Sequence, residues 1–319
     1  MDTLFDNIMQ AHRALRPQVR VTPLDYSVLL SAHTGCDVYL KGEHLQHTGS
    51  FKFRGASNKL RLLDEQQRKR GMITASTGNH GQGVALAAKI AGVGATIYAP
   101  ESAAAVKLDT IRALGGEVVL VGGDALNAEL AAGEAARREG KVYISPYNDV
   151  EVIAGQGTCG AELAEQCGDL DAVFVSVGGG GLISGIATVL KQLSPRTQIV
   201  ACWPENATSM YSNLEAGYIF EVAEQETLSD GTAGGVEPGA VTFELCRRLI
   251  DRKVLVSEEE IRNAMRVLAR TDRWMIEGAA GVALASALKL APEYQGKKIA
   301  VVLCGKNIVL EKYLKAVSG

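Results

Sequence analysis

The chain has 319 residues, of which 47% are hydrophobic and 22% are charged, a balance typical of a globular protein with a large core. The length predicts two domains or lobes. The net charge of −3 excludes the strongly basic surface that nucleic acids or anionic membranes attract, and it favours a small-molecule partner. No hydrophobic run approaches the roughly 18 residues of a membrane span.

The N-terminus and the cysteines together predict a cytoplasmic location. The first residues are acidic and then amphipathic, unlike the positive and then apolar start of a signal peptide. The cysteines contain no Cys-x-x-Cys pair, which argues against a zinc site and against a disulfide framework. We therefore expect reduced thiols at all six positions: Cys36, Cys159, Cys167, Cys202, Cys246 and Cys304.

The N-terminal part of the chain predicts helices around one short strand. Leu4, Ile8, Ala11 and Leu15 recur at helical spacing until Pro17 ends the pattern. Residues 37–41 alternate as a strand does. After residue 50 we expect one helix that carries Leu60 and Leu63 and ends in the solvated run Arg68-Lys69-Arg70.

The remainder of the chain alternates between apolar strands and helices. Strands are predicted at residues 72–75, 97–99 and 118–121, and again at 172–177, 198–202 and 299–304. Such alternation indicates an α/β fold with two lobes, each a mainly parallel twisted sheet covered by helices. Residues 220–240 are rich in glycine and polar residues and predict a long loop near the cleft. Ser257 and Glu260 form a capping box for a helix that runs to about Arg270.

A single lysine lies between two aromatic rings in Ser50-Phe51-Lys52-Phe53-Arg54-Gly55-Ala56. Apolar neighbours disfavour the charged ammonium, and the neutral amine is the form that attacks an aldehyde to make a Schiff base. The alternative is a lysine at a helix start whose ammonium reaches water past two core phenylalanines. The heptad alone leaves both interpretations open.

A second segment, Ser76-Thr77-Gly78-Asn79-His80-Gly81-Gln82-Gly83, lies where a buried strand turns into a helix. Small residues and free backbone N–H groups at a helix N-terminus can hold a carboxylate or a phosphate. The glycines can equally serve only the geometry of a tight turn. His80 taken singly is more often a hydrogen-bonded packing residue than a base.

Four consecutive glycines follow the predicted strand 172–177 and precede a helix with Ile183, Ile186 and Val189. Such a run lets several backbone N–H groups surround an oxyanion, which predicts a phosphate site. No Gly-Lys-Ser/Thr follows, and the G-x-G-x-x-G spacing fails in every register. Glu205 lies roughly where a ribose-binding acid would be in a dinucleotide enzyme, so a nicotinamide-binding protein remains an alternative.

The three segments together describe a phosphorylated aldehyde cofactor held by a lysine, and that cofactor is pyridoxal phosphate. In this order, and with the later Leu303-Cys304-Gly305-Lys306-Asn307, they resemble the fold-type II family of pyridoxal-phosphate enzymes. That family includes threonine dehydratases, serine dehydratases and serine racemase. The resemblance covers nearly the whole chain.

The resemblance implies a role for each matching residue. Lys52 would hold the cofactor as a Schiff base and later take the substrate α-proton, Phe51 would lie near the pyridine ring, and Asn79 would bond its phenolic oxygen. The substrate carboxylate would be held by Ser76, Thr77, Gly78, Asn79 and His80. The remaining cofactor-binding residues would be Gly178, Gly179, Gly180 and Gly181 at the phosphate, Leu182 beside them, and Gly231 in a bordering loop.

Two further positions bear on the type of reaction. Cys304 matches the position that faces the pyridine nitrogen with a serine or cysteine, and such a neutral partner favours elimination of a β-substituent. Taken alone, Cys304 is a buried small residue at a strand end. Thr77 matches the position where serine racemases carry a hydroxyl on the face opposite Lys52. Its β-branch restricts χ1 and its methyl crowds that face, so we expect elimination to exceed racemisation.

The reaction implied by the family is dehydration of a β-hydroxy amino acid to a 2-oxo acid and ammonia, with L-threonine or L-serine as the default substrate. The chain ends about fifteen residues after Cys304, and we expect a catabolic enzyme without a regulatory domain. The alternatives are serine racemase and a dehydratase for a larger substrate such as phenylserine or hydroxyaspartate. A catalytically inactive regulator that binds the cofactor is a third.

The resemblance also implies an organisation into two domains. A large cofactor-binding domain would comprise residues 1–50 and 149–319, and a small substrate-closing domain would comprise residues 51–148. A homodimer or a higher homo-oligomer is expected.

One motif of the family is altered. Serine racemases bind a cation through a glutamate, a backbone carbonyl and an aspartate spaced by four and then two residues, and the matching positions here are Trp203, Ala207 and Ser209. Neither carboxylate is present, and Glu205 is displaced by two residues. We therefore predict that this loop holds no metal ion.

Overall fold

The computed structural model describes residues 2–123 and 125–318. Within these ranges the chain forms two sheets covered by helices. The strands are β1 (Leu24–Tyr26), β2 (Asp37–Lys41), β3 (Met72–Ala75), β4 (Ala95–Pro100), β5 (Glu117–Val121), β6 (Val142–Tyr143), β7 (Ala172–Ser176), β8 (Gln198–Pro204), β9 (Arg252–Val256) and β10 (Lys298–Val302).

The helices surround and connect these strands. They are α1 (Asp2–Leu15), α2 (Val28–Thr34), α3 (Lys52–Arg61), α4 (Glu65–Arg70), α5 (Asn79–Ala91), α6 (Ala105–Ala113), α7 (Ala125–Glu139), α8 (Val150–Gln166), α9 (Gly181–Leu193), α10 (Ser209–Ala216), α11 (Val241–Leu249), α12 (Glu258–Thr271), α13 (Gly278–Leu290) and α14 (Leu310–Val317). No helix in the described ranges is long and apolar enough to cross a membrane.

The larger sheet has six strands in the order β1-β2-β10-β7-β8-β9. All neighbouring strands are parallel except the edge pair β1 and β2. The central strand β10 places Val301 beside both Leu40 of β2 and Phe174 of β7. Every residue of β7 is buried, which explains its unbroken apolar sequence, because helices cover a parallel sheet on both faces.

The smaller sheet has four parallel strands in the order β5-β4-β3-β6. The neighbouring residues Met72 and Ile73 belong to different apolar clusters because successive side chains point to opposite faces of a strand. Met72 packs with residues of α3 and α5, whereas Ile73 packs with alanines of α7. This sheet is therefore also covered on both faces.

The predicted α/β architecture with two mainly parallel sheets is confirmed. The predicted single helix after residue 50 is wrong, because α3 ends at Arg61 and α4 begins at Glu65. Asp64 caps α4 in a capping box with Gln67, which closes the first turn of a new helix. The capping box at Ser257 is confirmed, and strand β9 is an element that the sequence did not predict.

The strand ends place the predicted segments together. In open parallel sheets, ligands bind at the carboxyl ends of the strands. The glycine run follows β7, Cys304 follows β10, and the turn at Ser76 follows β3 of the smaller sheet. The candidate site is thus built where the carboxyl ends of both sheets meet.

Candidate active site

Lys52 is the first residue of α3 and is half-buried. Its Nζ donates a hydrogen bond to the carbonyl oxygen of Pro146 at 2.8 Å and lies 5.1 Å from the centre of the Phe51 ring. Burial lowers the pKa of Lys52 to about 8, against the opposing effect of Cys304 and Glu277. A pKa of about 8 leaves roughly a tenth of the amine neutral at pH 7, compared with well under a thousandth for an ordinary lysine.

The segment after β10 is joined directly to the lysine segment. The Phe51 N–H donates to the carbonyl oxygen of Cys304 at 3.1 Å, and Ser50 pairs with Gly305 in an isolated antiparallel bridge. Cys304 is buried, and burial followed by the charge of Glu277 raises the pKa of its thiol. The thiol beside Lys52 is therefore neutral.

The glycine run forms a tight loop between β7 and α9. Gly180 has a φ of +84°, a left-handed conformation that favours glycine, and it directly precedes α9. A Cβ atom on Gly179 would overlap the ring of Tyr147. Within the described ranges, the N–H groups of residues 178–181 donate to no protein acceptor. They therefore remain available to an anion at the N-terminus of α9.

Pro146 and Tyr147 join the lysine to the glycine loop. The carbonyl oxygen of Pro146 accepts from Lys52, and the next residue lies against Gly179 and Gly181. The Tyr147 hydroxyl in turn accepts from the N–H of Glu237 at 2.8 Å. The structure thus brings Lys52 and the predicted phosphate loop to one site, through residues that the sequence did not single out.

The remaining predicted residues of this loop region lie nearby. Leu182 is buried in the main core, so only its backbone faces the site. Gly178 lies against the backbone of Thr232, whose hydroxyl is 2.6 Å from that of Ser229. Gly231 lies within this same loop, close to the Glu277 carboxylate.

The turn before α5 exposes backbone N–H groups toward the cleft. Its Ser76 hydroxyl accepts from the Gly78 N–H at 3.2 Å, which stabilises the turn. In the part of the chain that the structure describes, the Thr77 hydroxyl has no hydrogen-bond partner. Since α5 begins at Asn79, the first-turn N–H groups have no partner within the helix. The turn therefore offers backbone donors to an anion, and its role in binding the substrate carboxylate stays a prediction.

His80 is buried and bonded to backbone. Its Nε2 donates to the carbonyl oxygen of Ile144 at 3.0 Å. Burial, and then the nearby charge of Lys52, lower the pKa of His80 to about 3. The imidazole is neutral at physiological pH, and its Nε2–H is already bonded to Ile144. Any interaction of this residue with a carboxylate therefore comes from its backbone N–H group and not from a charged ring.

Glu277 is a buried carboxylate of the site that the sequence analysis missed. Its Oε1 accepts from Asn79 Nδ2 at 2.8 Å, and its Oε2 accepts from the Asn307 N–H at 3.0 Å. Burial raises the pKa of Glu277 to about 7, although both hydrogen bonds lower it. The only sequence signal is an acid directly before the small-residue helix start Gly278-Ala279-Ala280-Gly281.

The altered cation motif is held together by protein groups. Trp203 lies within β8 and is buried, and Ala207 is buried in the loop that follows. Ser209 donates to Glu224 through its N–H at 3.1 Å and its hydroxyl at 2.5 Å, and the Gly234 N–H donates to the same carboxylate at 2.7 Å. Across the described residues, no group of three or more His, Cys, Asp or Glu side chains could hold a metal ion.

These surroundings fit pyridoxal phosphate. The uncommitted glycine N–H groups suit its phosphate, and the partly neutral amine of Lys52 suits its aldehyde. The neutral thiol of Cys304 suits a pyridine nitrogen without a proton, and the Asn79 amide suits the ring oxygen.

Comparison with known proteins agrees with this chemistry. A family model described as "Pyridoxal-phosphate dependent enzyme" matches residues 15–305. An L-threonine ammonia-lyase of Thermotoga maritima is 44% identical over 95% of this chain and 75% of its own length.

Solved structures give the same result. Processed threonine deaminase isoform 2 of Solanum lycopersicum superposes with a TM-score of 0.94 at 37% identity, covering 99% of this chain and 93% of its own. Maize serine racemase gives a TM-score of 0.92 at 32% identity, covering 98% and 96%. The chain therefore belongs to the fold-type II pyridoxal-phosphate enzymes, in the family of threonine and serine dehydratases and serine racemases.

Proposed function

We propose that the protein is a pyridoxal-phosphate-dependent dehydratase, or ammonia-lyase, of a β-hydroxy amino acid, with L-threonine and L-serine as default substrates. The products are a 2-oxo acid and ammonia. The observation that carries the proposal is the environment of Lys52: its Nζ donates to the Pro146 carbonyl oxygen beside the glycine loop, and burial lowers its pKa to about 8. The 44% identity to an L-threonine ammonia-lyase supports this choice of substrate class.

When bound, pyridoxal phosphate supplies the electron sink that makes the α-proton of an amino acid acidic. Lys52 would hold it and then, as a neutral amine, accept that proton at Nζ. The hydrogen bond to the Pro146 carbonyl oxygen limits where Nζ can lie, so the base is already oriented. Phe51 contributes an apolar surface beside the amine and helps to exclude water.

The substrate carboxylate would bind at the N-terminus of α5, to the N–H groups of the Ser76 to His80 turn. Residues 178–181 and the backbone of Leu182 would hold the phosphate, with Gly231 bordering the cofactor. Asn79 would donate to the ring oxygen, and the neutral thiol of Cys304 would face the pyridine nitrogen. A nitrogen without a proton makes a weaker electron sink, which suits prompt loss of the β-hydroxyl.

Elimination is favoured over racemisation because of Thr77. A proton returned to the opposite face needs an activated acid there, and the Thr77 hydroxyl has no activating partner within the described ranges. On L-serine we expect elimination to exceed racemisation by at least roughly tenfold, which corresponds to a barrier difference of about 1.4 kcal/mol. Thr77→Ser should raise the share of D-serine while ammonia release persists. Chiral chromatography that found D-serine forming as fast as pyruvate in the unmodified protein would instead support a racemase.

We also propose the division into a domain of residues 1–50 and 149–319 and a substrate-closing domain of residues 51–148. The four-stranded sheet lies wholly within the second range, and the six-stranded sheet within the first, which supports this division. A cytoplasmic homodimer or higher homo-oligomer is proposed as well. The six free cysteines are compatible with a reducing compartment. Light scattering of the purified protein would give the oligomeric state.

The substrate is tested with a panel of β-hydroxy amino acids, in both configurations at each carbon, scored by release of 2-oxo acid. We expect the largest kcat/KM for L-threonine or L-serine. A larger value for phenylserine or hydroxyaspartate would change the substrate but keep the reaction. No 2-oxo acid from any member, by protein that carries its cofactor, would overturn the proposal.

A further inference from the structure

We propose that Glu277 is a positioning residue: its carboxylate fixes the orientation of the Asn79 amide, so that one Nδ2 hydrogen is kept for the ring oxygen of the cofactor. The inference rests on the proposed function, because it concerns how the chain orients that cofactor. Glu277 itself need not touch the reacting atoms.

Glu277 occupies the position at which a side chain normally caps its own helix. It directly precedes α13 with extended backbone angles (φ −79°, ψ 166°), yet its side chain makes no capping hydrogen bond. Both oxygens are used elsewhere, one by Asn79 Nδ2 and one by the Asn307 N–H. The Glu277 carboxylate therefore does not cap α13, and it binds Asn79 and Asn307 instead.

The Asn79 amide is fixed at both ends. Its Oδ1 accepts from Asn307 Nδ2 at 2.6 Å, and its Nδ2 donates to Glu277. The second hydrogen of Asn307 Nδ2 is donated to the carbonyl oxygen of Thr48 at 2.8 Å. If the Asn307 amide were turned over, its Oδ1 would face two other acceptors, Asn79 Oδ1 and the Thr48 carbonyl oxygen, so its orientation is fixed. An amide NH₂ has two hydrogens, and Asn79 therefore retains one that no group among the described residues accepts.

An ionised acid enforces this orientation more strongly than a neutral group would. A carboxylate only accepts, so reversing Asn79 would place its Oδ1 against a negative oxygen. The backbone makes room for this acid, since a Cβ atom on Gly305 would lie 2.5 Å from Glu277 Oε1. The charged and titratable groups that act on it are Asp230 and Lys107, together with Lys52 and Cys304.

The test compares holoenzyme variants by the visible absorption of the bound cofactor as a function of pH. Glu277→Gln keeps the shape but must place an NH₂ group against one of two donors, Asn79 Nδ2 or the Asn307 N–H. We expect the pH midpoint of the absorption change to shift by about one unit, and the cofactor Kd to rise about tenfold. Glu258→Gln is the matched control: this carboxylate binds Thr227 and the Leu228 N–H, away from Asn79, and should leave the midpoint unchanged.

A double-mutant cycle separates orientation from the direct electric field of Glu277. If Glu277 acts through Asn79, the midpoint shift caused by Glu277→Gln should largely disappear in an Asn79→Ala background. A shift of unchanged size there would overturn the proposal, because the negative charge would then act directly on Lys52. The absence of any shift in Glu277→Gln itself would overturn it as well.

A second variant changes no charge and remains informative if Glu277→Gln folds poorly. Asn307→Ala frees the Oδ1 end of the Asn79 amide, and we expect a smaller midpoint shift in the same direction. An unchanged midpoint in folded Asn307→Ala would contradict the inference. If the unmodified protein bound no cofactor at Lys52, the proposed function would fail first, which distinguishes the two failures.

Discussion

Arg54 and Lys52 are two residues apart at the start of α3, yet their surroundings are opposite. Arg54 makes paired hydrogen bonds to Glu43 at 2.7 and 2.8 Å and to Glu162 at 2.7 and 2.8 Å. Lys41 adds a bond of 2.6 Å to Glu162, so two cations balance two anions in a wholly buried cluster. Although burial alone would raise the pKa of Glu43, Arg54 lowers it, so Glu43 stays ionised.

The charges around Lys52 are not matched in this way. Among the residues that the structure describes, its Nζ makes one hydrogen bond, to a neutral carbonyl oxygen, and the nearby Glu277 accepts from two amide groups. Burial lowers the pKa of Lys52 to about 8 and raises that of Glu277 to about 7. Both groups can therefore exchange protons near neutral pH.

The comparison shows that helix α3 carries both a stabilising ion cluster, at Arg54, and a reactive amine, at Lys52. A buried ion pair compensates its desolvation only when its geometry is excellent and its remaining donors are satisfied, as around Arg54. Such a cluster joins α3 to α8 and holds the helix in place. The site at Lys52, two residues earlier, has no such matched charges, so its groups stay in reactive protonation states; the stability that this costs is offset by the Arg54 cluster.

The largest expected effect comes from removing the reactive amine. Lys52→Ala should abolish the visible absorption of the cofactor and lower kcat by several orders of magnitude, because no other group can replace the base. Lys59→Ala is the control, since Lys59 is paired with Asp149 at 2.8 Å and Glu151 at 2.5 Å. Borohydride reduction followed by peptide mapping should find the label on Lys52. A label on Lys59 or Lys41 would refute the assignment.

Breaking the balanced cluster should act on folding instead. Arg54→Met leaves Glu43 and Glu162 without their main partner, and we expect the free energy of unfolding to fall by about 3–5 kcal/mol in urea titrations. Arg112→Met removes an exposed pair with Asp109 at 2.9 Å and should cost less than about 1 kcal/mol. Equal losses in the two variants would mean that the cluster does not stabilise the fold as proposed.

A third expected effect is a pH dependence of the free energy of unfolding, caused by Glu277. Its pKa is about 7 in the folded chain and about 4.5 when unfolded, so the folded state binds more protons between these values. Stability from this group is present at low pH and is lost as pH rises through 7, by up to about 3 kcal/mol. Glu277→Gln should lack this loss.

The measurement is the free energy of unfolding of cofactor-free protein at pH 5 and pH 8. The difference between the unmodified protein and Glu277→Gln isolates the carboxylate, because the buried His44 and His80, with pKa values lowered to about 4 and about 3, act in the opposite direction in both proteins. Parallel pH curves for the two proteins would show that Glu277 keeps an ordinary pKa.

The smallest effect is expected at Glu224, a carboxylate that is less buried than Glu43 or Glu277. It is half-buried and accepts three hydrogen bonds from Ser209 and Gly234. Glu224→Gln should lower the free energy of unfolding by about 1–2 kcal/mol, whereas the exposed Glu226→Gln should not. Because protein groups already hold this loop, EDTA should change neither activity nor Tm. A fall restored by magnesium or calcium would reveal a cation site.

The sequence predicted the features that depend on patterns among neighbouring residues. Alternating strands and helices predicted both parallel sheets, and the Ser257 capping box marked the start of α12. The break between α3 and α4 was also predictable, because Asp64 and Gln67 carry the same signal. The glycine loop could be placed at a strand end because four consecutive glycines have few other uses.

Contacts between distant segments could not be predicted in this way. Asn79 and Glu277 are 198 residues apart, and neither has a local pattern that requires the other. Pro146 contributes a backbone carbonyl, which any residue type has, so its contact with Lys52 leaves no trace in the sequence. The matching of Arg54 with two glutamates depends likewise on how α3 lies against α8, which only tertiary packing determines.

The central place of β10 has a consequence for biosynthesis. Residues 298–302 leave the ribosome after the other nine described strands, yet they lie between β2 and β7. Until then the antiparallel pair β1–β2 has no parallel partner, and β7 exposes one hydrogen-bonding edge. From the synthesis of β7 until that of β10, the nascent chain must protect two apolar strand edges, which predicts slow completion of folding and a need for chaperones.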